Sequence, residues 1–137
     1  MNLSKEEWLA QNNSVEEIEK QLLELAYTIF IKNIYEAEGY PWSPYRCISP
    51  ARCFDQTKSS FKEIWNWDSA FHAVDVSRWD TVLARECLLG FMQFQKENGL
   101  FPNVIFEDGR KADTFSKPPV LGWACEIVYK REKIWIF

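Results

Sequence analysis

The residues that could do chemistry are concentrated in one ten-residue stretch, IWNWDSAFHA, at positions 64–73. It contains two tryptophans, Trp65 and Trp67, one carboxylate, Asp68, and the only histidine of the chain, His72. A carboxylate among aromatic rings can accept hydrogen bonds from ligand hydroxyls while a ring stacks on the apolar face of a sugar. This combination is typical of a carbohydrate-binding site.

Simpler interpretations of the same residues stay open at this point. On one helix Trp65 and Trp67 point about 200° apart, so both cannot face one core and one of them is free to line a cavity. Packing of both rings in the core is nevertheless the commoner use of tryptophan. Asp68 can equally act as a helix N-cap, and His72, which has no visible partner, is interpreted as a packed residue rather than a proton shuttle.

Length and composition exclude several classes of protein. A chain of 137 residues fits one domain, and its 16% aromatic content is high. With a net charge of -4 and scattered Lys and Arg, it offers no basic surface for nucleic acid. The N-terminus has no apolar leader, and no window approaches the roughly 18 apolar residues of a membrane span. We therefore expect a cytoplasmic protein with neither a nucleic-acid nor a membrane partner.

The four cysteines indicate reduced thiols rather than a metal site. Their spacing contains no C-x-x-C, and one histidine is too few for the usual mixed zinc sites. Free cysteine commonly behaves as a small buried hydrophobe. We expect no metal and partly buried thiols at Cys47, Cys53, Cys87 and Cys125.

The first part of the chain is predicted to form helices over 1–38 and a long ordered loop over 39–60. Ser14 and Glu17 have the spacing of a capping box, so a helix should begin there and run to about Glu36 before Gly39 and Pro41 end it. Its apolar stripe consists of Ile18, Leu22, Leu25 and Ile29. The loop is predicted either to be functional or to be a plain connection packed on the surface.

Helical spacing resumes over 61–76, with Trp67, Phe71 and Val74 on one face. Asp80 is predicted to cap a second helix, the turn at 98–103 to break it, and Pro118 and Pro119 to begin a third over 120–129. No strand pattern competes, although 103–106 and 133–137 are short apolar runs that periodicity cannot assign. The inward stripe of the second helix is Leu83, Cys87, Gly90 and Phe94. The predicted class is all-α, a single domain over 1–137 built from helical hairpins.

Three segments in this half of the chain carry a resemblance to a known family. They are WNWDSAFHA at 65–73, NGLFPNVIF at 98–106 and SKPPVLGWA at 116–124. In order and approximate spacing they resemble the inverting α-glycosidases that form a six-hairpin (α/α)6 toroid. The resemblance is closest to the family of processing α-glucosidase I and bacterial mannosylglycerate hydrolases, with trehalases as more distant relatives. It covers about 61–129 and implies that the chain forms part of such a toroid.

The resemblance also implies roles for individual residues. Trp65, Trp67 and Asp68 would line the sugar subsite, and Asn103 would contact the sugar as its counterpart does in trehalases. The third motif of the family usually reads Ser-Gln-Pro-Pro with a substrate-binding Gln, whereas this chain has Lys117. An ammonium group only donates hydrogen bonds and adds a charge. The change is consistent with an acidic ligand or with a site no longer selected for turnover, and Lys117 is a candidate further contact.

The general acid and base that inversion requires lie, in the resembled family, downstream of these motifs. None of the carboxylates here resembles them in context, so no catalytic residue is predicted, and the chain is expected to be an N-terminal fragment of the catalytic domain. Whether it is active alone stays open. No cofactor is implied, since two carboxylates carry the chemistry. The carboxylates considered are Asp68, Asp75, Asp80, Glu107, Asp108 and Glu126.

Two functions from different classes follow. The first is a fragment of a glycoside hydrolase that acts on an α-glucosidic or α-mannosidic bond and supplies part of the subsite for a small saccharide or glycoside. The second is a non-catalytic helical module that binds a saccharide or a protein through its aromatic surface. Part of a toroid would leave apolar faces uncovered, so self-association is also expected.

Overall fold

The computed structural model describes residues 3–10, 16–52 and 61–134. Five helices make up about half of these residues: α1 Lys5–Ala10, α2 Glu17–Lys32, α3 Asn66–Val76, α4 Thr81–Met92 and α5 Val120–Ile134. Five strands of two residues each occur in the same ranges: β1 Ile34–Tyr35, β2 Cys47–Ile48, β3 Ile64–Trp65, β4 Val104–Ile105 and β5 Lys111–Ala112. The mainly helical class is confirmed, whereas the short strands were not predicted.

The strands form two small antiparallel sheets that hold the connections to the helices. β1 pairs with β2, and β3, β4 and β5 form a three-stranded sheet in that order. β2 lies within the segment predicted to be a loop, of which residues 53–60 fall outside the described residues. β3 lies in the segment predicted to be helical from residue 61, and its pairing with β4 delays the start of α3 to Asn66.

α3, α4 and α5 form the centre of the fold. α4 runs opposite to α5, because Arg85 near the start of α4 pairs with Glu132 near the end of α5, and Met92 at the end of α4 lies 3.6 Å from Cys125 near the start of α5. Near the start of α3, the side-chain amide of Asn66 lies 3.5 Å from the hydroxyl of Ser116, which precedes α5. At the other end, Arg131 of α5 donates to the carbonyl of Val74 at 2.6 Å. α3 and α5 are therefore parallel. The core between them contains small residues that allow close packing, among them Ala70, Ala73, Ala84, Cys87 and Ala124.

Two predicted helix starts are confirmed by the structure. Asp80 accepts a hydrogen bond from the backbone N–H of Leu83 at 2.8 Å, which is the N-cap arrangement expected for α4. Pro119 directly precedes the first residue of α5. The turn between α4 and β4 contains Gly99 at φ 85°, a backbone conformation that favours glycine.

The N-terminal capping box differs from the prediction. α2 begins at Glu17 with Glu16 at the N-cap, whereas the predicted box has Ser14 there; Ser14 lies outside the described residues, and Glu16 makes no side-chain capping bond. A reciprocal box instead opens α1, where the Ser4 N–H donates to Glu7 at 2.8 Å and the Glu7 N–H donates to Ser4 at 3.2 Å. α2 ends at Lys32, before the predicted Glu36, because β1 then pairs with β2.

α2 attaches to the rest of the molecule by one face only. Leu23, Tyr27 and Phe30 pack against the core, and the Tyr27 ring centre lies 5.4 Å from that of Trp79. No residue of this fully described helix is buried. The predicted apolar stripe faces away from the core, with exposed fractions of 66% for Ile18, 60% for Leu22, 56% for Leu25 and 38% for Ile29. We call these four residues the α2 apolar row.

Within the ranges that the structure describes, no helix combines the length and the apolar content needed to cross a membrane.

Candidate functional site

Trp65 and Trp67 belong to different elements. Trp65 is the last residue of β3, paired with Val104, and has the extended backbone of an N-cap residue, whereas Trp67 lies in the first turn of α3. The prediction that both rings lie on one helix is therefore wrong. Trp65 is half-buried with its ring centre 5.4 Å from that of Phe61, and Trp67 is 41% exposed. Trp67 is the ring that a ligand can reach.

Trp67, Asp68 and Lys117 form one cluster, which we call the Trp67 cluster. The Lys117 ammonium nitrogen lies 4.8 Å from the centre of the Trp67 ring, within the range of a cation–π contact. Burial raises the pKa of Asp68, while its own backbone N–H, the charge of Lys117 and a hydrogen bond from the Trp67 side chain act in the opposite direction. The cluster joins an exposed ring, a hydrogen-bond acceptor and a cation.

Asn103 is tied into the structure mainly by its backbone. Its N–H donates to Ala112 at 2.7 Å and its carbonyl accepts from the N–H of Asn66 at 3.0 Å. The residue is only 7% exposed. Its side-chain oxygen is buried and has no hydrogen-bond partner among residues 3–10, 16–52 and 61–134. Asn103 therefore presents a buried acceptor, and its contact with a sugar stays a prediction.

Asn66 joins the three sequence motifs and was missed by sequence reasoning. Its side-chain amide donates to the carbonyl of Pro102 at 2.8 Å and lies 3.5 Å from the hydroxyl of Ser116. It is 2% exposed although it is polar. No local sequence pattern identifies it, because its partners lie 36 and 50 residues further along the chain.

The three motifs also line one cavity of about 590 Å³. Lys117 belongs to both the cavity and the Trp67 cluster, because it lines the cavity and its ammonium group contacts the Trp67 ring. The other predicted site residues, Trp65, Trp67, Asp68 and Asn103, do not line it. The cavity is lined by residues of all three motifs: Asn66 of the first, residues 98–101 of the second, and Ser116, Lys117, Pro118, Pro119, Leu121 and Gly122 of the third.

Several other carboxylates hold other parts of the structure together. Asp80 caps α4, and Glu107 accepts a hydrogen bond from the Tyr35 hydroxyl. Asp108 pairs with Arg110 at 2.6 Å, and Glu126 pairs with Lys130 at 2.6 Å one turn along α5. Each of these four carboxylates therefore has a structural partner.

His72 and the described thiols are held in neutral forms. The His72 ring lies 3.2 Å from the carbonyl of Ile48, and burial lowers its pKa to about 4. Burial raises the pKa of the Cys47 thiol well above its usual value and that of Cys87 to about 12. Cys47, Cys87 and Cys125 are free thiols, and Cys53 lies outside the described residues. In the described part, no three or more His, Cys, Asp or Glu side chains gather where they could hold a metal ion.

Comparison with known proteins assigns the segment that carries all three motifs. Residues 62–134 match the family model described as the mannosylglycerate hydrolase MGH1-like glycoside hydrolase domain. A search of curated proteins found no match. The matched segment is more than half of the chain and contains β3 to β5 and α3 to α5. The chain therefore belongs to the family of MGH1-like glycoside hydrolase domains.

Proposed function

We propose that this chain supplies part of the sugar-binding subsite of a glycoside hydrolase that cleaves an α-glucosidic or α-mannosidic bond with inversion. The observation that carries the proposal is the Trp67 cluster, in which the family segment presents an exposed ring beside an acceptor and a cation. A ring stacks on the apolar face of a sugar, and the carboxylate and ammonium groups hydrogen-bond its hydroxyls. The proposed ligand is a small saccharide or glycoside.

In this proposal the described residues bind the sugar and do not carry the chemistry. Inversion needs one carboxylic acid to protonate the leaving oxygen and one carboxylate to activate water, about 6.5 to 9.5 Å apart. Asp68 is assigned to the sugar hydroxyls, and Glu126 is exposed and paired with Lys130. We assign neither role to these two residues. The chain would act as the N-terminal portion of a catalytic domain.

The alternating directions of α3, α4 and α5 support a toroid as the larger architecture. In such a fold, helical hairpins place every second helix in the same direction, so that helix N-termini gather at one end. The contacts of Asn66 with Ser116 and of Val74 with Arg131 give α3 and α5 this relationship. The Trp67 cluster lies at their N-terminal ends, where we propose that the saccharide binds.

Lys117 leads us to propose a glycoside that carries a carboxylate, such as mannosylglycerate. A lysine recognises an anionic group as a point charge, whereas the glutamine usual in the family is neutral. With its ammonium group at the Trp67 ring, Lys117 can reach a carboxylate attached to a stacked sugar.

The test is a titration of the full 137-residue chain, followed by the indole N–H signals in nitrogen-15 NMR spectra. Methyl α-mannoside, methyl α-glucoside and mannosylglycerate are added in turn. The Trp67 signal is assigned by its absence from the spectrum of a Trp67→Phe variant. We expect this signal to shift saturably as ligand is added, and we expect no such shift in Asp68→Asn. Asp75→Asn, at the other end of α3, is the matched control and should still respond. An unshifted Trp67 signal with all three ligands would contradict the proposal.

A second candidate function is a non-catalytic helical module that binds a protein. The observation in its favour is the α2 apolar row, which is exposed and distant in sequence from the family segment.

A further inference from the structure

The α2 apolar row has the spacing of a coiled-coil seam. Its residues follow one another at steps of four, three and four positions, as the a and d residues of a heptad do where one edge of a helix packs against a partner helix. From Ile18 to Ile29 the seam is about 16 Å long, within a helix of 16 residues. The packed face of α2, formed by Leu23, Tyr27 and Phe30, holds the helix so that the row faces outward.

The charges at the two ends of α2 favour one arrangement of partner. Glu17 and Glu19 lie in its first turn and Lys32 lies in its last turn. Two copies of α2 packed in parallel would bring the acidic first turns together. Two antiparallel copies would place each acidic turn beside Lys32 of the other copy and would also oppose the helix dipoles. A second copy of this chain is therefore electrostatically complementary in the antiparallel direction.

We propose that two copies of this chain form a symmetric dimer through the α2 apolar row, with the two helices antiparallel. A two-fold axis between Leu22 and Leu25 makes the contact isologous. Leu22 of each copy then packs against Leu25 of the other, and Ile18 against Ile29. The side chains beside the seam are compatible with this register, because Glu19 faces the segment of Ala26 and Thr28 and meets no like charge.

The test is sedimentation velocity of the full 137-residue chain over a concentration range of about 1 to 200 µM, since a contact of this size responds to mass action. We expect a monomer–dimer equilibrium. Leu22→Glu should weaken the dimer by more than about tenfold, because each dimer would bury two unpaired carboxylates. Leu89→Glu, at a 38% exposed leucine on α4, is the matched control and should dimerise like the unchanged chain.

A charge pair tests the direction of the helices. Leu25→Lys alone should also weaken the dimer, whereas the double variant that carries both Leu22→Glu and Leu25→Lys should regain it. Antiparallel copies place the introduced carboxylate of each chain against the introduced ammonium group of the other, whereas parallel copies would place like charges together. Circular dichroism verifies that each variant keeps its helix content. A monomer at every concentration, a dimer unaffected by Leu22→Glu, or a double variant as weak as the single ones would overturn the proposal.

Discussion

The ammonium nitrogen of Lys117 lies 4.8 Å from the centre of the Trp67 ring, although the two residues are 50 positions apart in the chain. This contact connects the first and third motifs of the family segment and places a positive charge against the Trp67 ring. It makes Lys117 the residue through which this site departs from the glutamine usual in the resembled family. The charge can be tested separately from the ring.

Replacing Lys117 with the family's glutamine should lower the affinity for mannosylglycerate by about tenfold and change the affinity for methyl α-mannoside far less, because only the first ligand has a carboxylate. The loss of affinity for mannosylglycerate should be smaller at about 500 mM salt than at about 20 mM salt, since screening weakens exposed ion pairs. Titration of both ligands at both salt concentrations measures this. Lys130→Gln, on α5, is the control. An equal loss for both ligands would show that Lys117 reads no carboxylate.

Asp68→Asn should leave the protein at least as stable as the unchanged chain at pH 7. Burial raises the pKa of Asp68, so the folded state binds its proton more readily than the unfolded state does. Asp68 therefore contributes most to the free energy of unfolding below the ordinary carboxyl pKa of about 4. This contribution is lost as the pH rises through the raised pKa of the folded state. Urea denaturation at pH 7 and pH 4 measures the difference. A marked loss of stability at pH 7 would instead make Asp68 a structural residue, and its binding role would be withdrawn.

His72 should make the protein less stable as the medium is acidified. Its pKa is lowered to about 4 by burial, below the value of about 6.5 for a free imidazole. The unfolded chain therefore takes up the proton first, and stability falls between about pH 6.5 and pH 4 by at most about 1.4 kcal/mol per pH unit. His72→Gln keeps a polar group that can contact Ile48 and should reduce this fall. Urea denaturation of the unchanged chain and of His72→Gln between pH 7 and pH 4 measures this. If the stability of both proteins falls equally with pH, His72 is not the group responsible.

Gly90→Ala should destabilise the protein by about 1 to 3 kcal/mol, although alanine is the better helix former. A Cβ atom at Gly90 would lie 2.5 Å from the sulfur of Cys47 and 3.3 Å from the Cβ of Tyr45. Gly122→Ala on α5 meets nothing within 4 Å and should be neutral or stabilising. Urea denaturation compares the two variants. If Cys47→Ala does not relieve part of the cost of Gly90→Ala, the steric explanation fails.

The local signals in the sequence predicted the helix boundaries best. Asp80 begins α4 because its own carboxylate reaches the N–H of Leu83 three residues later. Pro119 directly precedes α5, where the N–H that proline lacks would have no partner within the helix. Both signals act within one turn of the chain. The sequence therefore contains all the information that these boundaries need.

The features that were missed depend on distant parts of the chain. Trp65 was assigned to a helix, yet it pairs with Val104 in a sheet, and a two-residue strand carries no period of its own. The α2 apolar row was recognised by its spacing, but spacing cannot tell which face of a helix the rest of the molecule covers. In the structure Leu23 and Tyr27, which lie on another face of α2, pack against the core.

The candidate site was predicted in part. Trp67, Asp68 and Lys117 were named from the motifs, and the structure brings them together. Asn66 was not named, although its amide joins the motifs. Its role could not be recognised before the three segments were in place, because its hydrogen-bond partners lie 36 and 50 residues further along the chain.

Through Asn66, the geometry of the candidate site depends on the tertiary packing of the domain. Its backbone and side chain reach Asn103, Pro102 and Ser116, so the three segments meet only when the whole domain is packed. A compact acid state that keeps α3 and α5 but loses these long-range bonds would retain its helical circular dichroism and have no site. If the segment binds a saccharide as proposed, the ligand should bind only the packed state and should stabilise it by mass action.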